Sequence, residues 1–258
     1  MKSFLAALMF YTRIPVPRIR DYSDNIVNTA IRYFSFVGWI VGAISYGVFV
    51  AAELAFGVNI AVILSLVAGV LTTGCFHEDG FADMADGFGG GTSKSKILDI
   101  MKDSRIGSFG TIALILLFGL KFFALVSIFS RGEIEGTTAV PLVFITYHSL
   151  ARFVSGNMVF VSKYARDDGT SKIKPVEKSW TWREVVGLYL FGLAPLMVCV
   201  VYHWQYCLVL IPLAIILLGA KKYFERRIGG YTGDCLGAIE QISEITILLY
   251  FVVLLKIL

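Results

Sequence analysis

The chain has 258 residues, of which 57% are hydrophobic and only 16% are charged, and its mean hydropathy is +0.74. Soluble proteins carry roughly a quarter of their residues as charged side chains, so this composition excludes an ordinary soluble domain and indicates an integral membrane protein. The four cysteines have no paired metal-binding spacing, and they imply no disulfide framework.

The N-terminal segment precedes the predicted spans. Residues 1–11 are apolar but too short to cross a bilayer, and they lack a small-residue cleavage site. We therefore expect an interfacial or re-entrant helix rather than a removable signal peptide. The segment ends at Arg13-Ile14-Pro15-Val16-Pro17, where the rigid prolines would hold Arg13 at the membrane surface.

Long apolar segments recur along the rest of the chain. A membrane-spanning helix needs about 20 mostly apolar residues, and four segments meet this requirement: 34–52, 57–76, 106–130 and 136–162. The stretch 185–220 is too long for one crossing and must fold back, most simply near residues 203–206. A last span begins at about Cys235. We predict an all-α polytopic membrane protein of about seven transmembrane helices, forming a single membrane-embedded domain over residues 1–258.

The basic residues give the orientation. With seven spans, 19 of the 23 Lys and Arg residues fall on the side of the N-terminus, whereas Arg131 and Lys256 lie on the other side. The positive-inside rule then places the N-terminus in the cytoplasm. The net charge of +4 reflects this topology and does not indicate nucleic-acid binding. A basic cytoplasmic face would instead attract the lipid bilayer through anionic headgroups.

An acidic stretch follows the second span on the cytoplasmic side. It reads His77-Glu78-Asp79-Gly80-Phe81-Ala82-Asp83-Met84-Ala85-Asp86-Gly87. On a helix, Asp79, Asp83 and Asp86 would form one stripe of carboxylates. Because no Lys or Arg occurs between residues 74 and 92 to offset them, the pattern favours a site for a hard divalent cation such as Mg²⁺. A solvated acidic helix face is the alternative.

Two further cytoplasmic segments carry charged or glycine-rich patterns. A glycine-rich turn at residues 89–91 leads into a predicted short helix, on which Asp99 and Asp103 stand four residues apart before Arg105. The segment 226–237 is also rich in glycine, so its backbone N–H groups can approach a phosphate, although plain turns have the same composition.

The final span contains two acidic side chains. Glu240 and Glu244 lie in its first turns, where an ionised group needs a partner. Pairing with Arg152 or Lys121, both inside other spans, is one interpretation. A role in the site is the other, and it is favoured for Glu240 because this residue is nearer the glycine loop.

Carboxylates, glycine loops and nearby arginines together suggest phosphoryl transfer at a membrane surface. Their sequences also resemble the cobalamin synthase family, whose enzymes are also named adenosylcobinamide-GDP ribazoletransferases. The matching segments are 10–17, 74–87, 100–107 and 230–234, so the resemblance covers nearly the whole chain.

The resemblance implies a late step in the assembly of vitamin B12. Adenosylcobinamide-GDP and α-ribazole, or α-ribazole 5′-phosphate, would be joined to give adenosylcobalamin, or its 5′-phosphate, with release of GMP and a requirement for Mg²⁺. It also implies a multi-pass enzyme of the cell inner membrane, with the active site on the cytoplasmic side. The sequence does not specify an oligomeric state and leaves a homo-oligomer open.

The roles of the site residues are inferred from their chemistry. We assign Asp79, Asp83, Asp86 and Asp103 as catalytic metal ligands, one of them serving as the base. The family pattern has a variable position at Glu78, which is therefore not included. Substrate and phosphate binding is assigned to His77, Lys102, Arg105, Arg13, Gly230, Thr232, Gly233, Asp234 and Glu240.

Two other functions compete with this interpretation. Membrane phosphotransferases of the CDP-alcohol type also use aspartates at helical spacing, but they require an Ala-Arg after Asp-Gly, and here Phe81-Ala82-Asp83 follows Gly80. A secondary transporter would use the intramembrane charges as an ion path. The chain shows no internal repeat of the acidic motif, however, and its acidic residues cluster at one membrane face.

Overall fold

The computed structural model describes residues 2–17, 19, 24–130, 139–165 and 180–257, and within them the prediction of an all-α protein is confirmed. Extended pairing among these residues is limited to a single bridge between Tyr164 and Tyr231. The α-helices are α1 (Lys2–Tyr11), α2 (Asp24–Ala30), α3 (Phe34–Phe56), α4 (Val58–Thr73), α5 (Phe76–Gly90), α6 (Lys94–Ile100), α7 (Ser108–Phe129), α8 (Ala139–Val161), α9 (Trp182–Tyr202), α10 (Leu210–Ile228) and α11 (Gly233–Ile257).

Several of these helices are long and apolar enough to cross a membrane, which confirms a multi-pass protein. Five such segments occur within the described ranges, at 28–56, 108–129, 182–202, 204–228 and 233–257. The pair α4 and α5 would add a sixth, although it is bent by 89°. Helix α8 has 23 residues but is not one of the helices that are apolar enough to span. The count of about seven spans therefore stays a prediction.

The long apolar stretch is interrupted where the sequence predicts. Helix α9 ends at Tyr202, His203 is extended, and a 3₁₀ segment (Trp204–Val209) leads into α10. The interruption near residues 203–206 is therefore confirmed, whereas the fold-back across the membrane stays a prediction. Three parts of the prediction lie outside the described residues. They are the start of the predicted fourth span, Arg131 and the basic residues between 166 and 178.

Helix α8 packs closely against α3 through two glycines. A Cβ added at Gly38 would lie 2.6 Å from the carbonyl oxygen of His148, and one at Gly42 would lie 2.7 Å from that of Phe144. Small residues four apart let two helix backbones approach in this way. The contact brings the polar side chains of α8, including His148 and Arg152, into the protein interior.

Helix α11 lies at the centre of the fold, with contacts to α5, α7, α8 and α10. Its apolar residues Ile247, Leu248 and Phe251 are buried in the main hydrophobic cluster. Its first turns are buried as well, with Glu240, Gln241 and Glu244 each at most 1% exposed. Because α5 also packs on α11, the acidic motif sits directly over this polar part of the core.

Candidate active site

The acidic motif lies on helix α5, which turns sharply away from α4. Gly74 ends α4 with φ of +69° and its N–H donates to the carbonyl of Val70, while Cys75 also has a positive φ, of 61°. Such a left-handed ending is a common helix stop. The predicted acidic helix is confirmed, but it continues through Gly90, so the predicted turn at residues 89–91 begins only at Gly91.

The three aspartates of the predicted stripe differ in their surroundings. Asp79 is exposed and Asp83 is half-buried, whereas Asp86 is buried. The carboxylate of Asp86 accepts hydrogen bonds from the backbone N–H groups of Gly107 (2.7 Å) and Gly110 (2.8 Å). Asp86 therefore caps the N-terminus of α7, where a negative charge and free N–H groups attract each other.

The second pair of carboxylates does not form on one helix. Helix α6 ends at Ile100, so Asp103 lies beyond it rather than one turn after Asp99. The guanidinium of Arg105 binds Asp103, with Nη2 2.6 Å from Oδ2 and Nε 3.0 Å from Oδ1. This hydrogen bonding lowers the pKa of the Asp103 carboxyl to about 2. Lys102, beside them in the chain, is exposed.

The glycine loop between α10 and α11 packs on the acidic helix. A Cβ added at Gly80 would lie 3.0 Å from the Cα of Asp234, and one at Gly237 would lie 2.8 Å from the carbonyl oxygen of His77. The structure thus places the backbone of Asp234 against Gly80, which lies between Asp79 and Asp83 in the sequence of α5. Two of the three predicted cytoplasmic segments therefore meet.

The conformation of the glycine loop is fixed by neighbouring backbone and side-chain groups. The N–H of Tyr231 donates to the carbonyl of Lys163, and the N–H of Ala165 donates to the carbonyl of Tyr231, each at 2.8 Å. The buried hydroxyl of Thr232 accepts from the N–H of Cys235 and donates to Asp234 Oδ2. Thr232 thus caps α11. Gly233 is exposed with open space around it, so its backbone can approach a ligand.

Two basic residues lie beside these loops. Arg13 packs its side chain against Gly74 at the bend, and its N–H donates to the carbonyl of Thr72 at 2.7 Å. The predicted N-terminal arginine is therefore next to the start of α5. The Nζ of Lys94 lies 3.2 Å from the point where a Cβ on Gly229 would lie. Lys94 is not among the phosphate-binding residues predicted from the sequence. Its position just after the glycine-rich turn was the only available signal.

A buried network of charged side chains underlies the start of α5. Arg152 Nη1 lies 2.9 Å from Glu240 Oε1, and His77 Nδ1 lies 3.2 Å from Glu240 Oε2. His77 and Glu240, both predicted to bind substrate, are thus 2% and 0% exposed and contact each other. This contact joins the first turn of α5 to α11.

The second half of the network surrounds Glu244. Lys121 Nζ lies 2.5 Å from Glu244 Oε2 and 2.5 Å from the amide oxygen of Gln241. His148 Nδ1 lies 2.6 Å from Glu244 Oε1. The pairing of the intramembrane charges that the sequence left open is therefore present for both glutamates. The sequence reasoning missed His148 as a member, although a His inside a span was a visible signal.

The carboxylates left at the surface of α5 have the right chemistry for Mg²⁺. Within the described residues, no group of three or more His, Cys, Asp or Glu side chains is close enough to hold a metal ion. Magnesium is commonly held by one or two carboxylates, with waters and substrate phosphates completing its shell. Asp79 and Asp83, one turn apart and next to the glycine loop, fit that arrangement; the four-aspartate assignment stays a prediction.

Comparisons with known proteins identify the family of the chain. A family model described as cobalamin-5-phosphate synthase matches residues 3–252. A protein of Shewanella amazonensis named adenosylcobinamide-GDP ribazoletransferase is 43% identical over 256 residues, covering 99% of this chain and 95% of its own. Proteins of the same name from Vibrio cholerae and Shewanella frigidimarina are 39% and 41% identical, over 99% and 94% of this chain and 95% and 90% of theirs. No solved structure gives a significant match.

Proposed function

Because the chain belongs to the cobalamin-5-phosphate synthase family, we propose that it joins adenosylcobinamide-GDP to α-ribazole or α-ribazole 5′-phosphate and releases GMP. The family match over residues 3–252 carries this assignment. The convergence of the acidic helix and the glycine loop at Gly80 and Asp234 supports it, because phosphoryl transfer needs carboxylates and phosphate-binding backbone at one place.

The reaction replaces a phosphoanhydride bond of the donor by a phosphoester bond. A ribose hydroxyl of the ribazole attacks the phosphorus that is bound to the corrinoid arm, the bond from this phosphorus to the GMP oxygen breaks, and GMP leaves with that electron pair. The family description names a 5-phosphate product, so the attacking hydroxyl is one other than the 5′ position. Its proton passes to a carboxylate of α5, for which Asp79 and Asp83 are the accessible choices.

Asp79 and Asp83 would hold magnesium, which would neutralise the charge that develops on the pyrophosphate oxygens. The chain's own groups then position the donor. Gly233 at the start of α11 offers backbone N–H groups to a phosphate, and Arg13 adds positive charge at the bend. Arg105 and Lys102 are exposed near the end of α6, where they can reach outer phosphate oxygens.

We also propose that the enzyme resides in the cell inner membrane with this site facing the cytoplasm. The distribution of Lys and Arg residues supports the orientation. Topology mapping with a cysteine-reactive, membrane-impermeant label on Lys94→Cys, in a variant whose four native cysteines are replaced by serine, tests it. Labelling only in inverted vesicles is expected, and labelling in intact cells would contradict the orientation.

A reconstituted assay tests the reaction. Purified enzyme in liposomes receives adenosylcobinamide-GDP, α-ribazole 5′-phosphate and Mg²⁺, and GMP and the new corrinoid are quantified. We expect both products in equal amounts, loss of both in Asp83→Asn, and no change in Glu53→Gln, which alters an exposed carboxylate near the end of α3. Chelation of divalent cations should stop the reaction and added Mg²⁺ restore it. Inert wild-type enzyme would overturn the proposal.

A further inference from the structure

A small polar cavity lies beneath the acidic helix, among α3, α4, α5, α7, α8 and α11. Its volume is about 20 Å³, and the polar side chains that line it include Glu78, Lys121, His148, Arg152, Gln241 and Glu244. A cavity needs about 10–15 Å³ of such space to hold one water molecule. The cavity therefore has room for one water.

Three of the lining side chains each have a buried polar atom without a partner among the described residues. These atoms are Glu78 Oε2, His148 Nε2 and Arg152 Nε. The residues are only 8%, 6% and 1% exposed. A buried polar group without a hydrogen bond costs about 1–3 kcal/mol, and in native proteins such groups are normally satisfied by protein or by ordered water.

The hydrogen-bonding capacities of these atoms match one water molecule. His148 Nδ1 lies 2.6 Å from the Glu244 carboxylate, so in the neutral imidazole Nδ1 carries the proton and Nε2 is an acceptor. Glu78 Oε2 also accepts, whereas Arg152 Nε–H donates. Water can donate twice and accept once in this arrangement. A metal cation is disfavoured, because Lys121 and Arg152 both line the cavity.

We propose that this cavity binds one ordered water, which donates to Glu78 and His148 and accepts from Arg152. The water then links the second residue of the acidic motif to α8, beside the direct contact between His77 and Glu240. Two successive residues of α5 would thereby be fixed to the buried network. The orientation of this first turn determines where Asp79 and Asp83 point.

Glu78 is therefore a positioning residue for the reaction, and it does not contact substrate. This role rests on the proposed function, whereas the water site does not. The family pattern implies a variable position at Glu78. A position that only accepts a hydrogen bond from a water should tolerate any side chain that keeps an acceptor there. Two substitutions of Glu78, one with an acceptor and one without, test this.

The direct test of the water site is a crystal structure of the wild-type enzyme, grown in a lipidic mesophase, at a resolution that shows individual waters. We expect one density peak within hydrogen-bonding distance of Glu78 Oε2, His148 Nε2 and Arg152 Nε. An empty cavity, or a peak that contacts fewer than two of these atoms, would overturn the proposal. This result does not depend on activity.

The positioning role is tested with Glu78→Gln and Glu78→Leu in the GMP assay. Gln keeps an oxygen that accepts from the water, and Leu does not. We expect Leu to lower kcat about tenfold with KM little changed, and Gln to retain most of the wild-type kcat. Equal kcat values for Leu and wild type would refute positioning. Equal losses in Gln and Leu would show that the charge matters and not the water contact, which also refutes it.

Discussion

The backbone of Asp234 lies against Gly80, with only 3.0 Å from the Asp234 Cα to the position that a Cβ on Gly80 would occupy. This close approach joins two segments separated by more than 150 positions in the chain, the acidic helix α5 and the glycine loop that starts α11. A side chain at residue 80 would push them apart. The proposed catalytic site therefore depends on a glycine that carries no reactive group.

Substitution of Gly80 should lower both activity and stability. We expect Gly80→Ala to destabilise the protein by about 1–3 kcal/mol, as overpacking of a tight contact does, and to lower GMP release further than the loss of folded protein explains. Unfolding in detergent and the GMP assay measure the two effects. Gly119→Ala is the control, since a Cβ there meets nothing within 4 Å. Unchanged activity in Gly80→Ala would contradict the close-contact argument.

Removal of Lys121 should destabilise the buried network. Lys121→Met removes a charge partner of the buried Glu244 carboxylate. Breaking a buried ion pair lowers the free energy of unfolding by about 3–5 kcal/mol. Chemical unfolding of the detergent-solubilised enzyme measures it. The exposed Lys222→Met is the matched control and should change stability by no more than about 0.5 kcal/mol.

A double variant separates charge from packing in the same network. Adding Glu244→Gln to Lys121→Met removes the unpaired carboxylate, so the double variant should recover part of the lost stability. If Lys121→Met alone is as stable as wild type, the ion pair with Glu244 does not form.

Asp86 should act as a helix cap more than as a metal ligand. Asp86→Ala removes the acceptor for the Gly107 and Gly110 N–H groups, and loss of a cap costs about 0.5–2 kcal/mol. We expect a lower melting temperature and an unchanged Mg²⁺ concentration for half-maximal activity. Asp83→Asn should instead abolish GMP release at every Mg²⁺ concentration and leave the melting temperature unchanged. A large rise in the Mg²⁺ requirement of Asp86→Ala would support the original four-aspartate assignment instead.

The ion pair at the end of α6 predicts a pH effect confined to acid. Arg105 holds the pKa of Asp103 at about 2, below its usual 3.8. The contribution of the pair to folding is therefore present above pH 3.8 and is lost as the pH falls through about 2. Arg105→Ala should raise the pKa of Asp103 toward 3.8, as followed by carbon-13 NMR of labelled aspartate. Arg226→Ala, at another exposed arginine, should leave it unchanged.

Much of the architecture followed from local patterns in the sequence. Hydropathy predicted the all-α, multi-pass fold and the interruption at residue 203, because a span requires only a length of apolar residues. The motifs around Asp79 and Gly230 identified the family, and the same segments meet in the structure. These features depend on residues near one another in the chain.

The structure decided which way each polar side chain faces. The 89° bend at Gly74 and Cys75 turns His77 and Glu78 into the core and leaves Asp79 at the surface. Helical spacing shows which residues share a face, but it does not show which face is buried. The cap that uses Asp86 depends on where α7 begins, more than 20 residues later. The ion pairs of Lys121 and Arg152 with α11 join positions about 90 to 120 residues apart. Such contacts arise from helix packing, which the sequence pattern of any single helix does not specify.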